Sequence, residues 1–246
     1  MNRNVLDNPK VHVILGDARE VLLTTPEHYD LVFSEPSNPY RAGIASLFTR
    51  EFYAAVAERL NEGGVFVQWL QAYEIDAGSV RTVYATMQQV FPSVESWRTK
   101  YSDLVLLGRA ADLAFDVART RQRIAESPYR EALMNTWRVN DVEGVLSRYV
   151  ARPSWARAVA EAVGAAGVNV DDRNQLEFSV ARALGDAADV SIEILRDRAV
   201  ERGEAWPELS GEGADAVDWE LVYDAGATMR IADMCNLKIP MDQMLL

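Results

Sequence analysis

The sequence predicts an α/β protein, with a mainly parallel sheet over residues 1–110 followed by an α-helical region over 111–246. Three observations lead there. Short apolar runs rich in β-branched and aromatic residues alternate with segments of helical periodicity through the first hundred residues, which is the pattern of strand–helix–strand crossovers. Two further runs, Val94 to Thr99 and Asp103 to Gly108, are separated only by polar residues around Lys100 and Ser102, which is hairpin spacing. After Arg109 the chain turns rich in Ala, Arg, Glu and Leu and loses its strand signals.

Taken in order, Val11 to Leu15 reads as a buried strand that ends at Gly16-Asp17 and so delivers a carboxylate to a loop. Arg19 to Leu23 reads as a short helix stopped by Thr24-Thr25-Pro26. Leu31, Val32 and Phe33 form the next strand, which runs into a loop containing Ser34, Glu35, Pro36, Ser37, Asn38 and Pro39. A helix then starts at Thr49, an N-cap residue type, with Glu51 in its first turn and Phe52, Val56 and Leu60 on one face, and Gly63-Gly64 ends it. Val65 to Leu70 is a third strand that leads to Gln71-Ala72-Tyr73-Glu74. Asp76 or Ser79 can cap the following helix, whose Val80, Val83, Met87 and Val90 recur at helical spacing up to Pro92. In the second region, helices are expected near 115–126, 128–137, 140–150, 154–165, 188–202 and 214–233.

Bulk composition narrows the function classes. Twenty-five Lys and Arg against thirty-seven Asp and Glu give a net charge of −12, which disfavours nucleic acid or an anionic membrane as partner and suits a cationic small molecule. One cysteine and two histidines leave no internal disulfide and no metal-ligand cluster. No apolar run reaches membrane-spanning length, so a cytoplasmic setting is expected, including the cytoplasmic part of a membrane-anchored protein. In open α/β sheets the ligand site lies beyond the carboxyl ends of the strands, so the loop from Ser34 to Tyr40 is the first site candidate, with Gln68 and Tyr73 leaving the third strand at the same edge.

The stretches GDAREVL, YDLVFSEPSNP and LFTREFYAAVAERLNEGGVFVQWL resemble the second half of the catalytic domain of spermidine synthases and related aminopropyltransferases. The resemblance is closer to the spermidine synthase-like proteins whose domain follows a membrane-spanning region. It covers residues 9–109 and reaches thinly to the DDRNQLEF segment ending at Phe178. It implies a truncated Rossmann-like, methyltransferase-type sheet whose first two strands and Gly-rich donor-binding turn are missing, so that the chain is either a fragment or a product lacking half of its donor site. It also implies decarboxylated S-adenosylmethionine as donor substrate, with S-adenosylmethionine itself as the other possibility, no firmly bound cofactor, and a small cationic amine as acceptor.

By the same resemblance, Gly16 and Asp17 with Ser34 would hold the donor, Asp17 reading the adenine amino group. Glu35 falls on the first carboxylate of the family's Asp-x-x-Asp-Pro loop and Asn38 on the second, giving Glu35 the role of base or charge stabiliser and Asn38 that of an orienting group. An amide is neither basic nor charged, so Asn38 cannot replace the carboxylate chemically. Gln68 and Tyr73 are the expected substrate contacts. The Val11 to Leu15 strand is expected to pair with the Leu31 strand or with another copy of the chain, which makes a homodimer through the sheet edge a further expectation. Asp171, Asp172 and Glu177 read as a solvated turn between helices, or else as a wall facing a cationic substrate. Two other readings stay open: a non-catalytic binding or assembly module with a degenerate site, and an S-adenosylmethionine-dependent methyltransferase.

Overall fold

The computed structural model describes residues 5–37, 39, 41, 43–72, 75–100, 102–178 and 191–236, with the backbone alone for 232–236. Asn38 and Tyr73, two of the expected site residues, lie outside the described residues. The first helix is α1 (Ala18–Thr24), followed by strand β1 (Tyr29–Ser34), a 3-10 turn over Ile44–Phe48, α2 (Arg50–Glu58), β2 (Leu60–Gln71), α3 (Ala77–Gln88) and the hairpin β3 (Ser93–Lys100) and β4 (Asp103–Arg109). Then come β5 (Phe115–Asp116), α4 (Val117–Ala125), α5 (Tyr129–Thr136), α6 (Val142–Leu146), β6 (Tyr149–Ala151), α7 (Pro153–Val163), α8 (Ile192–Glu201), β7 (Leu209–Ser210) and α9 (Trp219–Asn236).

The main sheet has five strands in the order β1-β2-β4-β3-β6, and β5 pairs with β7 in a small second sheet. β1 and β2 are parallel, with Leu31 opposite Val65 and Ser34 opposite Gln68. β2, β4, β3 and β6 are joined by antiparallel pairings. A parallel pair that gives way to an antiparallel hairpin has the expected outline, but the sheet is not mainly parallel: three of its four pairings are antiparallel, and β6 adds a strand from beyond residue 110. On one face, Val32, Phe66, Leu70, Val94, Leu104 and Leu106 share a core with Phe52, Val56, Val83 and Met87 of α2 and α3. That core extends to Val150, Ala156, Leu176, Ile192 and Ala199, so the helical region is packed against the sheet. Phe66 stacks on Phe91 at 5.4 Å, and Gly108 leaves room for that ring: a Cβ there would lie 2.7 Å from Phe91 atoms.

Two differences from the sequence reading lie in the first 70 residues. Val11 to Leu15 forms no strand: these residues are in no ladder, and Val13, Ile14 and Leu15 are 61%, 68% and 93% exposed. β-Branched residues favour a pleated surface only when a neighbouring strand is there to complete it. β1 pairs only with β2 among the described residues, so the expected pairing of Val11 to Leu15 with the Leu31 strand does not occur. The second difference is at the Gly pair, which does not end α2. The helix stops at Glu58, and Asn61 to Gly64 bulge within the start of β2, where the register jumps between Tyr29 and Leu31. Gly63 there has φ 75°, a conformation that disfavours any side chain.

Candidate functional site at the strand ends

β1 and β2 run parallel and finish side by side, so the groups leaving their carboxyl ends converge. Ser34 is the last residue of β1, half-buried, and Glu35 follows it, exposed. Its register partner Gln68 is fully buried, and its Nε2 donates to the Ser34 carbonyl at 3.4 Å and to the Trp69 carbonyl at 2.9 Å. Gln68 Oε1 is buried and has no hydrogen-bond partner among the described residues. Burying an amide oxygen without a donor is costly, so this oxygen is a ready acceptor for a donor arriving at the strand ends. The structure thus brings Ser34, Glu35 and Gln68 to one edge, as expected.

Asp17 has a structural role that explains its position without reference to a ligand. It is the N-cap of α1: its Oδ1 accepts from the Arg19 N–H at 2.8 Å and the Glu20 N–H at 3.4 Å. These bonds satisfy two of the N–H groups that a helix start leaves unpaired. Both fall on Oδ1, so Oδ2 can still accept from an amino group. Asp17 and Gly16 are exposed, and no hydrogen bond or ion pair joins Asp17 to Glu35 among the described residues. The donor-binding and base candidates therefore sit on separate elements with no direct link.

The 169–176 segment is fastened to the first half of the chain by Asn169, which the sequence did not single out. Asn169, fully buried, uses every polar group it has. Its N–H donates to the Thr86 hydroxyl at 2.9 Å and its side-chain amide to the Phe48 carbonyl at 3.2 Å. Its Oδ1 accepts from the Gln175 and Leu176 N–H groups, at 2.7 and 3.4 Å. Its carbonyl accepts from Arg50 N–H at 2.9 Å, one of the unpaired donors at the start of α2. One residue, through its backbone and its side chain, thereby ties α3, the Ile44–Phe48 turn, the start of α2 and the 169–176 segment together.

Asp171 adds a charged tie. Arg19 grips its carboxylate with both terminal nitrogens, Nη1 to Oδ1 at 2.9 Å, and also donates to the Ser46 carbonyl at 3.3 Å. The Arg19 hydrogen bond holds the Asp171 carboxyl below its usual range. Burial works to raise Glu51, but hydrogen bonds from its own backbone, Arg50 and the Asp171 N–H outweigh it and bring it below its usual range as well. Asp171 is accordingly a paired strut that joins α1 to α2. The signal for it in the sequence was the acidic pair in DDRN, but the partner, Arg19, lies 152 residues away.

Among the described residues no cluster of His, Cys, Asp or Glu could hold a metal, and no helix is long and apolar enough to cross a membrane. An α/β sheet in which two parallel strands finish side by side is an architecture whose small-molecule sites lie at the strand ends.

Comparison with known proteins finds similarity concentrated in the first hundred residues. Residues 1–100 match the family model for the spermine/spermidine synthase domain. The chain is 26% identical over 85 residues to the polyamine aminopropyltransferase of Korarchaeum cryptofilum, covering 35% of this chain and 26% of that protein. It is 29% identical over 86 residues to polyamine aminopropyltransferase 1 of Pseudomonas aeruginosa (33% and 30% covered) and 28% over 110 residues to the Thermococcus kodakarensis polyamine aminopropyltransferase (44% and 36%). The chain thus spans about a third of the length of these curated relatives. A solved structure described as a probable spermidine synthase from Corynebacterium glutamicum aligns with a TM-score of 0.46 at 20% identity, over 69% of this chain and 58% of that one.

Proposed function

We propose that this chain is part of a spermidine synthase-like transferase that moves an aminopropyl group from decarboxylated S-adenosylmethionine to a small cationic amine. The observation that carries the proposal is a coincidence of position. The segment matching the spermine/spermidine synthase domain, residues 1–100, contains the whole strand-end crevice of Ser34, Glu35 and Gln68. In the reaction the amine nitrogen forms a bond to the propyl carbon, the carbon–sulfur bond breaks with its electron pair going to sulfur, and a proton leaves the nitrogen. Glu35, exposed at the crevice mouth, is the group proposed to take that proton and balance the charge. Gln68 Oε1 and Asp17 Oδ2 are acceptors for substrate N–H groups, Asp17 for the adenine amino group. Gly16 and Ser34 complete the donor side, and Asn38 and Tyr73 keep their proposed roles in orientation and substrate contact.

The 246-residue chain contains no Gly-x-Gly-x-Gly turn after a strand, so by itself it is expected to bind the donor weakly and turn over little, because positioning is a large share of such catalysis. Calorimetry with methylthioadenosine, S-adenosylhomocysteine and putrescine, on this chain and on a version extended at its amino end, tests the reading. Binding of methylthioadenosine and putrescine by the extended version, lost on Glu35→Gln or Gln68→Ala, is the expected result. Ordinary turnover by the 246-residue chain alone, or no binding by either form, would refute it.

A second reading, a non-catalytic assembly module, is favoured by Asn38 standing where the resemblance expects a carboxylate. A third, an S-adenosylmethionine-dependent methyltransferase, differs in the donor and is the reading that S-adenosylhomocysteine binding would select. We also propose a homodimer through β1. Its outer edge has no partner strand among the described residues, and its Leu31 and Phe33 are 58% and 53% exposed, an arrangement that invites strand addition. The proposed setting is cytoplasmic, whether the protein is free or held at a membrane by another segment.

A further inference from the structure

A concave site that Ser34, Glu35 and Gln68 do not line lies where α3, α7 and α8 meet. Val80 and Tyr84 of α3, Trp155 and Val159 of α7, and Ile194 and Leu195 of α8 wall a groove of about 380 Å³, toward the small end of the roughly 300–1,000 Å³ range of ligand pockets. Its polar groups are one-sided. Arg81 and Arg198 stand at its lining, and no aspartate or glutamate lines it among the described residues, although the chain carries 37 acidic residues against 25 basic ones. The Tyr84 hydroxyl is already taken by Ser96 at 2.7 Å. Arg81 spends Nε on the Ala77 carbonyl at 3.1 Å, and its terminal nitrogens form no ion pair among the described residues. Arg198 pairs with Glu201 at 2.9 Å, but both side chains are more than 60% exposed, and a pair so exposed is exchanged at little cost.

Apolar walls with cationic groups and no anionic ones select a ligand that is apolar along its body and negative at one end. We propose that the α3–α7–α8 groove binds an amphipathic carboxylate, a medium-chain acyl acid or an aromatic acid of similar size. The alkyl or aryl body lies against Tyr84, Trp155 and Val159, and the carboxylate lies between Arg81 and Arg198. The proposal does not depend on the transferase reading. The groove is built by helices on both sides of residue 110, and Glu35, Asp17 and Gln68 do not line it.

The test is calorimetric titration of the 246-residue chain with octanoate, decanoate, decanol and decyltrimethylammonium, with tryptophan fluorescence recorded in parallel. Decanoate is expected to bind below about 1 mM, and each added methylene to tighten binding about fourfold. Decanol and the cationic amphiphile should bind at least about tenfold more weakly, the difference of one charge-assisted contact. Arg81→Glu combined with Arg198→Glu should reverse the preference toward the cation while circular dichroism stays unchanged. Trp155→Phe should remove the fluorescence response but keep binding. Val159→Trp, which fills the groove, should abolish binding, and the Arg variants cover the case in which that variant does not fold. Equal binding of decanol and decanoate, no binding at about 1 mM, or a groove covered by a second copy, seen as decanoate-insensitive dimer in sedimentation, would each overturn the proposal.

Discussion

Replacing Asn169 with alanine is the sharpest test of how the 169–176 segment is held. The side chain is fully buried and makes three hydrogen bonds: a donor to the Phe48 carbonyl at 3.2 Å, and an acceptor to the Gln175 N–H at 2.7 Å and the Leu176 N–H at 3.4 Å. The third is long and contributes little. Counting about 1 kcal/mol for the bond to Gln175 and about 2 kcal/mol for a buried Phe48 carbonyl left without its donor, the loss is about 3 kcal/mol. For a chain of this size 1 kcal/mol moves the melting temperature by about 2–4 °C, so Asn169→Ala should lower it by about 6–12 °C. Thermal unfolding followed by circular dichroism reads this directly. Hydrogen exchange should also show faster exchange at the Arg50 amide, which donates to the Asn169 carbonyl at 2.9 Å, because the segment that carries that carbonyl is loosened. Asn174→Ala is the control: Asn174 Oδ1 has no partner among the described residues, so that change should cost no more than about 0.5 kcal/mol. A loss below about 1 kcal/mol for Asn169→Ala, or equal losses for the two variants, would show that Asn169 does not anchor the segment.

The remaining tests follow the same geometry. Asp171, held below its usual range by Arg19, contributes stability that is fully present above the ordinary carboxylate range and lost as pH falls through its depressed value. Asp171→Asn should therefore flatten the acid limb of a stability-against-pH curve and leave the curve's shape near neutrality alone; an unchanged acid limb would show that the Arg19 pair is not coupled to folding. Gly108→Ala sets a Cβ 2.7 Å from the Phe91 ring and should destabilise by about 1–3 kcal/mol, measured by urea unfolding; a neutral result would mean that the Phe66–Phe91 stack moves freely. Leu31→Lys puts a charge on the outer strand and should shift any dimer toward monomer in sedimentation equilibrium; a dimer untouched by it would place the interface elsewhere. Glu35→Gln, in a form that turns over, should lower kcat by about a hundredfold or more with KM for the donor little changed; wild-type kcat would remove Glu35 from the proton path.

The sequence by itself determined the alternation of β1, α2, β2 and α3, the β3–β4 hairpin and the cap at Thr49; for α3 it offered Asp76 or Ser79, and the structure selects Asp76. These depend on residues close together in the chain: alternating or i, i+4 apolar spacing, and short polar side chains that reach N–H groups two or three residues on. It also placed Ser34 and Gln68 at one edge, because parallel strands joined by a crossover finish on the same side. What it could not determine depends on partners far apart in sequence. Val11 to Leu15 has the composition of a strand and is not one, because a ladder needs a neighbour and the described structure supplies none. Tyr149 to Ala151 lies in a segment with helical periodicity and becomes a strand because the edge of β3 is open beside it. Asn169 looked like one polar residue among valines, and Asp171 like half of a solvated turn. Tertiary packing alone brought the first to Phe48, Arg50 and Thr86, and the second to Arg19, turning two loop residues into ties between the 169–176 segment and the first half of the chain.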